Sequence, residues 1–300
     1  MQNPFGQILT AMVTPFNDDF SIDYKSTEKL IDHLIKTGTD TIVVAGTTGE
    51  SPTLTHKEER ELYKFVQKIV NGKVKIVLGT GSNSTATAIE STKEAENLGV
   101  DGVLSVVPYY NKPSQSGLIE HFSQIAKSTS LPIILYNIPG RTAINMEPGT
   151  VAELANKYKN LVGYKDATGN LDNTTQVIEL TPKEFLVYSG DDSLILPMLS
   201  VGAIGVISVA SHIVGEEIQD MINYYFAGKI DLAKEVHHKL FPLFKALFKA
   251  PNPTCIKAAL EILGICKSNL RAPLVKLNEK DLNELKEIVK KACSLAKANK

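Results

Sequence analysis

The chain has 300 residues, enough for about two average domains, or for one α/β barrel of roughly 250 residues with an appendage. Its 32 basic and 33 acidic side chains leave a net charge of −1, which excludes a basic footprint for nucleic acid or an anionic membrane, so neither is expected as a partner. A composition with 43% hydrophobic and 22% charged residues is that of a globular chain able to bury a core without disulfides or metal.

Cys255, Cys266 and Cys293 are odd in number and form no CxxC pair. They argue against a disulfide framework or zinc site and fit a reducing, cytoplasmic compartment. The first five residues lack the pattern of a signal peptide. Residues 194–210 are nearly all apolar, but Pro197, Gly202 and Gly205 interrupt them. The stretch also falls short of the roughly 20 residues a spanning helix needs. It reads as a buried helix leading into a buried strand.

In chain order the pattern predicts strand 8–13, helix 25–36, strand 41–45, helix 57–70, strand 75–79, helix 86–98, strand 102–106 and helix 118–128. Strand 133–136, helix 147–158, strand 161–165, helix 172–180, strand 185–189, helix 194–200 and strand 203–208 follow. The strand segments are short Val- and Ile-rich runs with little polar alternation, as in strands buried on both faces. Gly38, Gly72 and Gly99 sit just past three helices, where left-handed caps fall, and Thr55 with Glu58 forms a capping box. Eight evenly spaced units without a GxGxxG after the first strand favour a closed (β/α)8 TIM barrel over a doubly wound sheet. Helical patterns at 231–249, 253–263 and 279–297 then predict a C-terminal helical subdomain. The expected division is a barrel carrying the active site over 1–225 and helices over 226–300.

A parallel barrel presents its chemistry at the C-terminal ends of its strands. Lys165 ends the sixth strand. An ordinary lysine is neutral in only about one molecule in 2,500 at pH 7, and making it neutral costs about 4.6 kcal/mol. A dry barrel interior lowers that cost, and the neutral amine can then attack a ketone to form a Schiff base. The competing readings are a lysine that snorkels to solvent or pairs with Asp166. Tyr136, Tyr110 and Thr47 put hydroxyls at three other strand ends, where they can relay protons or serve as rim residues. Arg141, after Pro139 and Gly140, can offer a two-point contact to a carboxylate or lie on the surface. Residues 46–51, Gly-Thr-Thr-Gly-Glu-Ser, lack the lysine and spacing of a phosphate loop. Their threonines and amides can hold a carboxylate instead. The histidines form no metal-binding pattern, so no metal is expected.

These segments together, residues 46–51, Tyr109-Tyr110, residues 136–142 and residues 165–169, closely resemble the class I aldolase family containing dihydrodipicolinate synthase and N-acetylneuraminate lyase. The likeness runs from Thr10 to Arg271. It implies a cofactor-free lyase in which Lys165 is the Schiff-base lysine and Tyr136 the acid/base. By the same likeness Thr47 and Tyr110 would complete the proton relay, with Tyr110 reaching in from a neighbouring subunit of a homotetramer, a dimer of dimers. The resemblance also implies that Thr48 would hold the pyruvate carboxylate beside Ile207, and that Arg141 would hold the carboxylate of L-aspartate-4-semialdehyde, with Gly190 and Asp191 near that second substrate. The YNIPGRT run over 136–142 resembles the synthase branch of lysine and diaminopimelate biosynthesis. The alternatives are a pyruvate-dependent aldolase acting on a sugar acid and a non-catalytic oxo-acid binding barrel. Relatives inhibited by lysine bind it through positions matching Ser51, His56, Asn83 and Tyr109. Where those relatives have a second histidine and a glutamate, this chain has Glu59 and Thr87, so the resemblance implies weak inhibition or none.

Overall fold

The computed structural model describes residues 3–298. Strands β1 (Ile8–Ala11), β2 (Thr41–Val44), β3 (Lys75–Gly79), β4 (Gly102–Val106), β5 (Ile133–Asn137), β6 (Leu161–Asp166), β7 (Leu186–Ser189) and β8 (Gly205–Ser208) form a closed barrel in chain order. Neighbouring strands pair in parallel. Every residue of β1, β2, β5 and β8 is buried, which is why these strands read as continuous apolar runs.

The helices are α1 (Tyr24–Lys36), α2 (His56–Val70), α3 (Thr85–Leu98), α4 (Gln115–Lys127), α5 (Pro139–Thr142) and α6 (Pro148–Lys157). They continue as α7 (Leu171–Leu180), α8 (Ile195–Ser200), α9 (Ser211–Phe226), α10 (Ile230–Ala246), α11 (Thr254–Ile262) and α12 (Glu279–Ala298). Side chains of Asp23, Ser84, Ser114 and Asn170 cap the first turns of α1, α3, α4 and α7. Thr55 and Glu58 form the expected capping box of α2. Gly99 caps α3 in the left-handed conformation, and Gly38 and Gly72 adopt positive φ just past α1 and α2. The apolar run 194–210 contains α8 and β8. No helix among the described residues is long and apolar enough to cross a membrane.

Two helices differ from the sequence expectation. Arg141 sits in the short helix α5, not in an open turn, because Pro139 at its first position starts a helical turn. Helix α9, the eighth of the barrel helices, was not expected. Ala210 gives it no side-chain cap, Val214 interrupts its helical geometry, and its first five residues are all buried. It therefore shows no capping signal, and its apolar stripe at Ile218, Met221 and Ile222 begins only after a fully buried first turn. At Gly215 a Cβ would fall 2.3 Å from the Thr37 carbonyl oxygen, so the close approach of α9 to the end of α1 admits only glycine.

The chain divides into two compact units. One comprises Met1–Gly6 and Ile76–Ile207, with a core that includes Phe122, Ile134, Leu135, Tyr164 and Val187. The other comprises Gln7–Lys75 and Ser208–Lys300, with Leu30, Leu34, Val66, Met221, Phe244 and Leu260 fully or almost fully buried.

Candidate active site

Successive side chains of β6 point to opposite faces, which separates Lys165 from Asp166. Lys165 stands in register with Tyr136 on β5 and Tyr188 on β7. It is only 7% exposed, so it does not snorkel to solvent. Asp166 is occupied elsewhere. Its Oδ1 accepts hydrogen bonds from the Thr168 amide (2.9 Å) and hydroxyl (2.7 Å), and its Oδ2 accepts from the Thr174 hydroxyl (2.8 Å).

Lys165 Nζ lies 4.2 Å from the centroid of the Tyr136 ring, and Tyr136 is itself buried. Burial lowers the Lys165 pKa to about 8; the negative charge of Asp192 opposes the shift and the positive charge of Arg141 adds to it. The amine is therefore neutral in about one molecule in ten at pH 7, a gain of more than two orders of magnitude over a solvated lysine.

The loop after β7 holds Gly190, Asp191 and Asp192. The Gly190 amide donates to the Asp166 carbonyl at 2.7 Å, and a Cβ at this position would lie 2.7 Å from that of Ala167. Glycine is thus what lets the ends of β6 and β7 meet. Asp191 Oδ1 accepts from the amide and hydroxyl of Ser193, both at 2.8 Å, capping a single helical turn. The carboxylate acting on Lys165 is its neighbour Asp192, only 2% exposed. The expected place of Asp191 beside the second substrate is a separate role; nothing in the sequence marks Asp192 for this one, and only its burial picks it out. Ile207 on β8 is buried at 1% exposure.

Thr47 and Thr48 lie in the turn after β2, in the other unit. Within the turn the Gly49 amide donates to the Gly46 carbonyl (3.0 Å) and the Glu50 amide to the Thr47 carbonyl (3.1 Å). Thr47 is half-buried and Thr48 fully buried. Thr48 Oγ1 accepts from Asn252 Nδ2 at 2.9 Å. With that oxygen occupied by an amide donor, the hydroxyl hydrogen is the part of Thr48 left to donate, as a carboxylate ligand requires. Asn252 follows Thr48 by 204 positions, and no local signal in the sequence connects them.

Tyr110 is 89% exposed and holds a left-handed φ of 74°, unfavourable for a tyrosine. Its hydroxyl stands in solvent within one chain. Tyr109 is 40% exposed. The Asn83 carbonyl accepts from the Asn111 side chain at 2.8 Å. Ser51 opens a 3₁₀ turn, and the exposed His56 places Nδ1 3.4 Å from a Glu59 carboxylate oxygen.

A closed parallel barrel with a buried, easily deprotonated lysine at a strand end defines the equipment of a Schiff-base-forming enzyme. The chain matches the Dihydrodipicolinate synthetase family over residues 4–292 and belongs to it. It is 51% identical over 280 residues to "4-hydroxy-tetrahydrodipicolinate synthase 1" of Halalkalibacterium halodurans, covering 93% of this chain and 95% of the relative. A dihydrodipicolinate synthase structure from Cyanidioschyzon merolae with lysine bound is 46% identical, with a TM-score of 0.93, covering 97% of this chain and 99% of the other. The chloride-inhibited synthase from Acinetobacter baumannii complexed with pyruvate is 39% identical, also with a TM-score of 0.93 and coverage of 97% and 99%.

Proposed function

We propose that the protein condenses pyruvate with L-aspartate-4-semialdehyde to 4-hydroxy-tetrahydrodipicolinate. The observation that carries this reading is Lys165, a buried amine with its pKa lowered to about 8 and set against the Tyr136 ring. Neutral Nζ adds to the pyruvate ketone, and loss of water gives the imine. Removal of a methyl proton gives an enamine whose carbon attacks the semialdehyde carbonyl. The amino group of the semialdehyde then displaces Nζ as the ring closes, so the balance is two substrates in and one product and one water out. Tyr136, at the lysine, is assigned the proton transfers. The curated relatives carrying this activity in their names, at about half identity over most of the chain, support the choice of substrates.

In this reading Thr48 donates its hydroxyl to the pyruvate carboxylate beside Ile207, and Thr47 belongs to the relay. Arg141 meets the semialdehyde carboxylate, with Gly190 and Asp191 close to that substrate. The exposure of Tyr110, together with its strained backbone, supports a role completed in a neighbouring subunit of a homotetramer; the setting proposed for the enzyme is the cytoplasm. The test is pyruvate consumption with and without L-aspartate-4-semialdehyde, with Lys165→Ala as the blank. Semialdehyde-dependent consumption that vanishes in the variant is the expected result. No consumption by the folded parent rejects the reading.

Lysine is expected to inhibit weakly or not at all. At the positions matching the relatives' inhibitor site, Glu59 already faces His56, and Thr87 offers no carboxylate to a lysine ammonium. A charge-assisted hydrogen bond of that kind contributes about 1.5–3 kcal/mol. Titration of activity with lysine checks this, and half-inhibition below 1 mM (~10⁻³ M, near −4.1 kcal/mol) contradicts it.

A further inference from the structure

Beneath the turn that carries Thr47 and Thr48 lies a buried ion pair that the proposed chemistry does not use. Lys257 on α11 and Glu50 are 0% and 1% exposed at their side chains, with Nζ 2.5 Å from Oε1. Lys257 also donates to the Asn269 carbonyl at 2.8 Å and lies 4.1 Å from the centroid of the Phe16 ring. The second carboxylate oxygen of Glu50 accepts from the Arg271 amide at 3.0 Å. Glu50 is thus gripped at both oxygens by the segment 257–271.

A buried ion pair is weak evidence for stability, because well-packed apolar residues of the same volume hold a core as well or better. What this pair does for geometry is more specific. Glu50 has a φ of 56°, in the left-handed region that a glutamate avoids when free. In that conformation its amide reaches back to the Thr47 carbonyl. The preceding residue is held as well, the Thr14 hydroxyl donating to the Gly49 carbonyl at 2.7 Å. From the other side Asn252, just before α11, grips the Thr48 hydroxyl oxygen. The remaining polar atom of that amide, Oδ1, is buried with no hydrogen-bond partner among the described residues. Asn252 and Lys257 thus bring two points of the C-terminal segment to bear on one six-residue turn, at Thr48 and at Glu50.

We infer that Glu50, Lys257 and Asn252 are positioning residues for the substrate carboxylate: they hold the strained turn so that the Thr48 hydroxyl is preset to donate. The inference rests on the assignment of Thr48 to the pyruvate carboxylate. A residue that only supports the fold changes stability. One that acts through Thr48 changes pyruvate affinity, and does so only while Thr48 is present.

The experiment uses the full chain and the double variant Glu50→Gln with Lys257→Met, which removes both charges and leaves no buried ion unpaired. The melting temperature is expected to stay within a few degrees of the parent. The pyruvate KM is expected to rise by at least about tenfold, equivalent to roughly 1.4 kcal/mol, with kcat changed much less. In a Thr48→Val background the same pair of changes is expected to add little further rise in KM. A folded double variant with unchanged KM overturns the inference, and so does a rise of equal size with and without the Thr48 hydroxyl. If the double variant does not fold, Asn252→Ala carries the same comparison, with the same two outcomes. Borohydride trapping of pyruvate on Lys165 of the parent is run alongside. Its absence there marks failure of the proposed function, not of the positioning role.

Discussion

Lys165→Met is expected to abolish imine formation and at the same time to raise the melting temperature. The first effect follows from removing the amine, the second from its burial. The amine is 7% exposed and its pKa falls from 10.5 to about 8, chiefly because the interior disfavours its charge. At pH 7 the folded protein still carries the proton in most molecules, so it holds a poorly solvated ammonium that the unfolded chain solvates fully. Between pH 8 and 10.5 the unfolded state binds more protons than the folded one, so stability rises with pH across that window. Below pH 8 the whole penalty is present, about 3 kcal/mol. Methionine fills similar volume without charge and removes the penalty at neutral pH. The expected gain is several degrees at pH 7, shrinking as the pH approaches 10.5. Scanning calorimetry of both proteins at pH 7 and pH 10 measures it. Borohydride trapping of pyruvate on the parent should increase as the pH rises through 8, and no label should appear on the variant. A lower melting temperature for Lys165→Met, or pyruvate still trapped on it, contradicts this account.

The second large effect is acid sensitivity set by two buried histidines. His212 is 0% exposed, and its Nδ1 lies 2.8 Å from the Val209 carbonyl. Its Nε2 accepts from the Val13 amide at 3.2 Å, which requires that nitrogen to be unprotonated. Burial, the largest cause, lowers its pKa to about 4 even though the bond to Val209 favours the charged form. His121 is 4% exposed, pairs Nδ1 with the Thr85 hydroxyl at 2.8 Å, and leaves Nε2 buried with no hydrogen-bond partner among the described residues. Burial lowers its pKa to about 4 as well. Between pH 6.5 and 4 the unfolded chain takes up protons at both sites while the folded chain resists them. Stability therefore falls as the pH drops through that window, by up to about 3 kcal/mol per histidine. Together this is a large part of the 5–15 kcal/mol that ordinarily separates folded from unfolded states. Urea denaturation at a fixed protein concentration, at pH 7, 5.5 and 4.5, should show the decline. His121→Phe, which gives up one hydrogen bond and no ladder contact, should flatten roughly half of it. A midpoint that holds from pH 7 to 4.5 contradicts the assignment.

Most of the barrel was legible because its signals are local. The strands at 75–79 and 102–106 coincide with β3 and β4, and the others differ by one or two residues at their ends, where pairing with a neighbour decides the last residue. Thr55 with Glu58 could be read as a helix start because both partners lie within one turn. Lys165 stood out as a polar residue ending an apolar strand. Helix α9 has no start signal, since no side chain caps it and its first five residues are all buried; its stripe of Ile218, Met221 and Ile222 appears only later.

What the sequence by itself determined was the order of strands and helices, the closed barrel and the side chains able to do carbonyl chemistry, since each is written in spacing within a few residues. The tertiary structure alone decided which groups change their chemistry. Burial lowers the Lys165 pKa, Asp192 supplies the negative charge that opposes the shift, and His121 and His212 become neutral groups in the core. Only the fold brings Asn252 to Thr48 across 204 positions, and Lys257 to Glu50 across 207. The reason is physical: a pKa or a hydrogen-bond partner depends on the water excluded and the dipoles brought near, and both are set by segments far apart in the chain.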